Sequence, residues 1–156
     1  MSNGIPVVPA PKNEPILSYA PGSDERQRIQ TRLQEMLSEE LEIPLVIGGK
    51  EVRTGNMGEA RCPHDHSKVL ARYHKAGAAE VEQAAAAANE AWRAWSELGW
   101  EQRAAIFRKM ADLLAGPHRM TLNAATMLGQ SKTVHQAEID SACELIDFLR
   151  FNPSFM

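Results

Sequence analysis

Acidic side chains are concentrated near the end of the chain, at Glu138, Asp140, Glu144 and Asp147. A carboxylate in a partly buried site can bind a cationic group of a ligand, because opposite charges attract more strongly where the dielectric is low. At helical spacing, Asp140, Glu144 and Asp147 share one stripe with Ala137. An acidic stripe on a helix is usually solvated, and we interpret Glu138 and Asp147 in that way.

A second cluster is the segment Cys62-Pro63-His64-Asp65-His66, with His74 nearby. Thiol, imidazole and carboxylate groups are the types that hold zinc or another divalent ion. A zinc site needs a second set of ligands at suitable spacing, and the sequence offers none. We therefore interpret the cluster as a turn between two strands and predict no metal site.

The segment Gly129-Gln130-Ser131-Lys132-Thr133 superficially suggests a phosphate-binding loop. A Walker loop requires a glycine directly before the lysine, so that successive backbone amides face the phosphate, and Ser131 stands there instead. We interpret this segment as a structural turn between two helices.

Two further residue types invite a chemical interpretation. Cys143 shares an apolar stripe with Ile139 and Ile146 and has no adjacent base, so it is expected to be a small buried hydrophobe. The tryptophans at 92, 95 and 100 could stack on a ligand. At helical spacing beside alanines, such aromatic residues are more often part of a core, and we predict that role.

The elements that would position these groups divide the chain into three parts. Prolines in residues 1–22 exclude a helix and predict an extended arm that lies on another part of the protein or remains mobile. Ser23 is expected to cap a helix that runs to about Ser38. Strand patterns at 44–52 and 69–76, the first interrupted by a glycine turn, imply a small antiparallel sheet within residues 23–76.

Residues 77–156 show a helical pattern that predicts four helices. The first is rich in alanine, and the second ends at Gly116-Pro117. The third is expected to end at Gly129, and the fourth to begin at Thr133 and run to about Asn152. The small side chains of these helices indicate close contact with a larger neighbour, such as a sheet that the chain does not contain.

The composition of the chain limits which binding partners and which cellular compartment are expected. The 156 residues carry a net charge of −3 with both signs interspersed, so no basic face is available for nucleic acid or an anionic membrane. Two cysteines in different contexts fit a reducing compartment. No apolar run is long enough to span a membrane, and the first residues lack the order of a secretory signal or transit peptide. We expect a cytoplasmic protein.

One long stretch is more specific than any of these patterns. Residues 127–152 resemble the amino-terminal part of the 1-pyrroline-5-carboxylate dehydrogenases, a family within the aldehyde dehydrogenases. Matching residues elsewhere are Asn13-Glu14-Pro15-Ile16, residues 43–49, Trp95, Arg103-Ala104, Phe107, Ala111-Asp112-Leu113-Leu114 and Gly116-Pro117. The resemblance implies an α/β fold, namely the amino-terminal part of a cofactor-binding domain without its Rossmann sheet, with residues 77–156 as the helical part of that domain.

The resemblance also implies an activity. Enzymes of this family oxidise L-glutamate γ-semialdehyde, a small-molecule substrate, to L-glutamate with NAD+ in proline breakdown, using a cysteine thiolate and a glutamate-activated water. No glycine-rich dinucleotide fingerprint follows a strand here. We therefore expect an inactive amino-terminal fragment whose NAD site, nucleophile and base lie beyond Met156, and a full-length protein that forms a homo-oligomer.

The same resemblance assigns one site residue to this chain. Leu149-Arg150-Phe151 is similar to the end of the helix that lines the aldehyde tunnel in the superfamily, and counting back places Glu144 at a tunnel-facing position. A carboxylate there would meet the ammonium group of the substrate. Two alternatives remain open, namely a non-catalytic helical interaction module and an aldehyde dehydrogenase for a different aldehyde.

Overall fold

The computed structural model describes Gly4 and residues 7–156, so the predicted arm at residues 1–3 and 5–6 lies outside the described residues. From residue 7 to residue 20 the chain has neither helix nor strand. Its later part lies against helices near the end of the chain, where Leu17 packs beside the buried Tyr19. In the structure, part of the segment at residues 7–20 therefore lies on other elements of the chain, while the division at residue 22 stays a prediction.

Helix α1 spans Asp24–Ser38 and begins as the sequence predicts. The side chain of Ser23 accepts a hydrogen bond from the backbone N–H of Arg26, which satisfies one of the free donors of the first turn. Ile29 is buried on the inner face of α1. It joins a core cluster with Met120, Ala124 and Tyr19.

Five strands follow: β1 (Leu41–Ile43), β2 (Leu45–Ile47), β3 (Lys50–Val52), β4 (Met57–Cys62) and β5 (Asp65–His74). Strands β2 and β3 form the predicted antiparallel hairpin, and its turn residues Gly48 and Gly49 both have positive φ. In the second sheet, β5 lies in the middle, antiparallel to β4 and parallel to β1. The predicted antiparallel pairing is therefore present, and the sequence did not predict β1, which can pair in parallel because a long connection separates it from β5.

The helical part contains α2 (Ala78–Glu97), α3 (Trp100–Ala115), α4 (Arg119–Gln130) and α5 (Val134–Ala137), then a π-helical segment (Glu138–Cys143), α6 (Glu144–Phe151) and a 3₁₀ turn (Asn152–Phe155). The prediction that Gly129 ends the third helix is wrong. Helix α4 continues to Gln130, and Ser131 takes the left-handed conformation with φ 56°. The hydroxyl of Ser131 lies 2.8 Å from Nδ1 of His64, so this turn contacts the turn between β4 and β5.

Helix α6 and the π-helical segment pack on α3 through a cluster of Ala111, Ala142 and Ile146. Helix α2 differs, because none of its residues is buried in the part of the chain that the structure describes. Trp92 is 68% exposed and Trp95 is 42% exposed. The prediction that these two tryptophans are core residues is thus wrong for this chain, because no element formed by the described residues covers that face of α2.

Among the described residues, no helix combines the length and the apolar character needed to cross a membrane.

Candidate functional site

The helix that carries the acidic residues changes its hydrogen-bond pattern in the middle. Thr133 caps α5, and its side chain and that of Gln136 form a reciprocal capping box. Over residues 138–143 the helix is wound with one extra residue per turn, and the N–H of Glu144 donates to the carbonyl of Ile139, five residues earlier. Side chains before and after this π-helical segment therefore do not follow one helical phase.

Glu138 is the first residue affected. It is fully buried, and its carboxylate accepts hydrogen bonds from the N–H of Leu17 at 2.8 Å, the hydroxyl of Tyr19 at 2.8 Å, and Nδ2 of Asn123 at 2.7 Å. It also forms an ion pair with Arg119. The interpretation of Glu138 as a solvated residue is therefore wrong, because donors from the arm and from α4 surround its carboxylate.

The charge on Glu138 is stabilised in this buried position. Burial alone would raise the pKa of Glu138, but the hydrogen bonds from Arg119, Leu17 and Tyr19 outweigh it and hold the pKa below the ordinary carboxyl value. Burial and the adjacent carboxylate raise the pKa of Tyr19 above its ordinary value, so the phenol remains a donor.

Arg119 lies at the centre of the buried network. Its guanidinium pairs with both Glu138 and Glu14, and it donates to the carbonyl of Pro15 at 2.7 Å. Burial would lower the pKa of Arg119, but the bonds to Glu138 and Glu14 raise it. Glu14 also accepts a hydrogen bond from Arg150. Two arginines thus balance two carboxylates, as a buried ionic cluster requires.

Cys143 lies beside this network. Its Sγ is 3.4 Å from Nη2 of Arg119 and 3.8 Å from Oε1 of Glu138. Burial and the charge of Glu138 raise the pKa of the Cys143 thiol to about 11. The predicted burial of Cys143 is confirmed, but its surroundings include charged groups and are not an apolar helix face.

A groove runs along α6 between the helix and the arm, with a volume of about 830 Å³. Its apolar lining consists of Ile16, Ile139, Phe148, Phe151 and Phe155. Three carboxylates reach it, those of Glu14, Glu144 and Asp147. The groove therefore combines an apolar surface with acidic groups, as expected for a ligand that carries both a carbon chain and a cation.

The three carboxylates differ in their partners. Glu14 is paired with Arg119 and Arg150. Asp147 accepts hydrogen bonds from Nδ2 of Asn13 and from the N–H of Glu14, both at 2.7 Å, so its interpretation as merely solvated is also wrong. The carboxylate of Glu144 has no hydrogen bond or ion pair with any described residue. Among the described residues, it is the groove's one carboxylate with neither a hydrogen-bond donor nor a cationic partner.

Glu144 thus lies on a groove wall, at the first residue of α6. The sequence placed it in one stripe with Asp140 and Asp147. In the structure Asp147 lines the groove beside it, Asp140 does not, and Cys143 is a further lining residue. Its contact with a substrate stays a prediction.

The cluster around Cys62 forms the predicted turn, between β4 and β5. Sγ of Cys62 lies 3.2 Å from Nε2 of His64, whereas His74 faces Glu42 at 3.1 Å and is engaged elsewhere. Across the described residues, no group of three or more His, Cys, Asp or Glu side chains could hold a metal ion. In the segment at residues 129–133, the ammonium group of Lys132 forms an ion pair with Asp140 at 2.8 Å. The lysine therefore has a partner within the protein, as in a structural turn.

Sequence reasoning missed the residues that hold the groove together. Tyr19, Arg119 and Asn123 are far apart in sequence from Glu138. Asn13 and Glu14 entered only through the resemblance of the segment Asn13-Glu14-Pro15-Ile16. A single sequence contains no local signal for such pairs, because ordinary polar residues in a helix or an arm are expected to face solvent.

Comparison with known proteins places this geometry in a family. The family model described as "Aldehyde dehydrogenase family" matches residues 51–156. A delta-1-pyrroline-5-carboxylate dehydrogenase of Agaricus bisporus is 49% identical over 150 residues, which cover 96% of this chain and 28% of that protein. A probable enzyme of the same name from Schizosaccharomyces pombe is 48% identical over 149 residues, covering 95% of this chain and 27% of that protein.

Solved structures support the same family assignment. The crystal structure of the Delta-pyrroline-5-carboxylate dehydrogenase from Mycobacterium tuberculosis superimposes with a TM-score of 0.95 at 46% identity, covering 99% of this chain and 29% of that chain. The same protein has been crystallised with NAD bound. The chain therefore spans under a third of the length of these relatives.

Proposed function

The chain belongs to the aldehyde dehydrogenase family, and we propose that the full-length protein oxidises L-glutamate γ-semialdehyde to L-glutamate with NAD+ in proline breakdown. The similar proteins are named delta-1-pyrroline-5-carboxylate dehydrogenases, and their identity of 41–49% extends across at least 90% of this chain. The semialdehyde is the open form of 1-pyrroline-5-carboxylate and carries an aldehyde, a carboxylate and an ammonium group.

The observation that carries this proposal is the state of Glu144. Its exposed carboxylate reaches an apolar groove in which the other two carboxylates already have partners. An ammonium group entering the groove meets two carboxylates without a cationic partner among the described residues, those of Glu144 and Asp147, and only the carboxylate of Glu144 lacks a hydrogen-bond donor. A charge-assisted contact of this kind is worth about 1.5–3 kcal/mol.

We assign Glu144 a binding role. By holding the ammonium group, it fixes one end of the substrate, so that the aldehyde carbon at the other end is presented in a constant position. NAD+ supplies the hydride acceptor of the reaction. The described residues contain no glycine-rich turn between a strand and a helix, so we place no residue of this chain against the cofactor.

Neither cysteine of this chain suits the role of nucleophile. Cys143 is buried, and its pKa is raised to about 11, so very little thiolate forms near neutral pH. Cys62 is 1% exposed. We therefore assign the nucleophile and the base to parts of the full-length protein other than these residues.

The test compares aldehydes that differ in one group. 5-Oxopentanoate has the same chain and carboxylate as the semialdehyde but lacks the amino group. In the full-length protein, Glu144→Ala is expected to lower kcat/KM for the semialdehyde roughly tenfold to a hundredfold. Activity with 5-oxopentanoate and with propanal should change less than about twofold, because neither has an ammonium group to lose.

Two control variants sharpen the comparison. Glu144→Gln keeps the shape of the side chain and removes its charge. It should lower kcat/KM for the semialdehyde about as much as Glu144→Ala does. Glu90→Ala removes an exposed carboxylate of α2 and should affect no substrate. Equal losses for all three aldehydes would assign Glu144 a structural role, and absence of turnover with the semialdehyde in the unmodified protein would favour a different aldehyde.

The setting is also part of the proposal. Two cysteines that form no disulfide support a reducing compartment, and we propose the cytoplasm. Several relatives of this name are called mitochondrial, so cell fractionation with an antibody against the protein is the appropriate test. We further propose a homo-oligomer, which sedimentation of the full-length protein would test.

A further inference from the structure

The groove beside Glu144 has two walls from distant parts of the chain. One is α6 with the end of the π-helical segment, and the other is the arm at Asn13, Glu14 and Ile16. Asn13 and Asp147 are separated by 134 positions but are in direct contact. The width of the groove, and the groups that face into it, therefore depend on how the arm is held.

The arm is held from two sides. On the buried side, Glu14 pairs with Arg119 and Arg150, and the carbonyl of Pro15 accepts from Arg119. On the groove side, Asp147 accepts one hydrogen bond from the amide of Asn13 and one from the N–H of Glu14. The buried side is an ionic cluster, so it fixes the position of the arm as a whole. The groove side consists of two exposed or half-exposed contacts, so it sets the local geometry at Asn13.

The contact with Asn13 also determines which carboxylate a cation meets. Asp147 lies one helical turn after Glu144, close enough to compete for the same ammonium group. Both oxygens of Asp147 already accept a hydrogen bond from the arm. Glu144 has no such donor among the described residues. An ammonium group is therefore directed to Glu144 as long as the arm keeps Asp147 engaged.

We propose that Asn13 is a specificity-determining positioning residue, whose amide holds Asp147 and the arm so that the ammonium group of an amino-bearing aldehyde binds to Glu144 alone. This proposal rests on the function proposed above. Asn13 acts through Asp147, and the reacting carbon of the substrate lies elsewhere.

The pair can be tested by exchange, because one member is an amide and the other a carboxylate. Asn13→Asp places two carboxylates against each other, which repel and release the arm. Adding Asp147→Asn restores one amide and one carboxylate, and the new amide oxygen can still accept the N–H of Glu14. The readout is selectivity, defined as kcat/KM for the semialdehyde divided by kcat/KM for 5-oxopentanoate, measured with the full-length protein.

We expect Asn13→Asp to lower selectivity about tenfold, the effect of losing one hydrogen bond to a charged group. The exchanged double variant should return to within about twofold of the unmodified protein. Asn13→Ala removes the donor without adding a charge and should lower selectivity about threefold. This variant keeps the proposal testable if Asn13→Asp does not fold. Lys12→Ala, a neighbouring exposed arm residue outside the groove lining, should leave selectivity unchanged.

The outcomes separate this proposal from the one on which it rests. Unchanged selectivity in both Asn13 variants, or a double variant no better than Asn13→Asp, would overturn the role of Asn13 even if Glu144→Ala discriminates between the aldehydes. A purely structural role of Asn13 would lower turnover of both aldehydes in proportion and leave selectivity constant. If the unmodified protein does not oxidise the semialdehyde, the proposed function itself fails.

Discussion

At the scale of single residues, the structure is organised around charges that are buried and paired. Glu138 was expected to face solvent, because a carboxylate in a helix usually does. It is instead surrounded by donors from the arm and from α4, and none of these donors is near it in sequence. Periodicity predicts which residues share a face of a regular helix, but it cannot reveal a partner supplied by another part of the chain.

The buried charge of Glu138 predicts a defined dependence on pH. The folded pKa of Glu138 lies below its ordinary value of 4.5. Above pH 4.5 the residue is ionised in both the folded and the unfolded state, and its full contribution to stability is present. As the pH falls below 4.5, the unfolded state binds a proton first, so this contribution is lost as the pH falls through the folded pKa.

Hydrogen exchange can follow this loss locally, since the N–H of Leu17 donates to Glu138. After correction for intrinsic exchange rates, protection of the amide of Leu17 should decrease below pH 4.5 in the unmodified protein. In Glu138→Gln, protection should be lower at pH 7 and nearly independent of pH between 3 and 6. A parallel decrease in both proteins would assign the acid sensitivity to other groups.

At the scale of elements, the sequence predicted where helices begin, but it did not predict the left-handed residue after α4 or the π-helical segment. Ser23 and Thr133 were recognised as caps, because a hydroxyl that accepts from the first turn is a local feature. The end of α4 was misplaced, since glycine is the usual left-handed residue but Ser131 takes that conformation here. The π-helical segment had no recognisable signal, and it changes the direction of every side chain that follows it.

The cap at Thr133 starts the helix that carries both Glu138 and Glu144, so its removal should loosen that helix. Thr133→Ala is expected to reduce stability by about 1 kcal/mol, because the N–H of Gln136 loses its acceptor. Thr133→Ser retains the hydroxyl and should cost less than about 0.5 kcal/mol. Denaturant unfolding of the full-length protein, with hydrogen exchange at Gln136 as the local probe, measures both. Equal effects of the two variants would show that the cap contributes little.

At the scale of the whole molecule, the sequence predicted the class of fold and the faces that need a neighbour. The alanine-rich pattern of α2 indicated contact with a larger element, and the structure shows that face uncovered in this chain. The sequence could not separate burial against this chain from burial against another part of the fold. That ambiguity explains why Trp92 and Trp95 were assigned to a core and yet are exposed here.

The exposed faces lead to the last prediction, which concerns a polypeptide of these 156 residues expressed alone. Large apolar side chains of α2 and α3 remain exposed in it, among them Val81, Trp92, Ile106 and Met110. Uncovered apolar surface of this extent favours association and dye binding. We expect concentration-dependent aggregation, binding of a hydrophobic dye, and strong quenching of tryptophan fluorescence by acrylamide.

The full-length protein provides the control, since the proposed cofactor domain supplies a sheet for these helices to cover. Its tryptophan emission should be shifted to shorter wavelength, and dye binding should be near the background level. Trp92→Gln in the 156-residue polypeptide should reduce aggregation, whereas in the full-length protein it should lower stability by about 3–5 kcal/mol as a buried large-to-small change does. A monomeric 156-residue polypeptide with a sharp cooperative transition and no dye binding would contradict this account, because it would mean that α2 and α3 need no covering element.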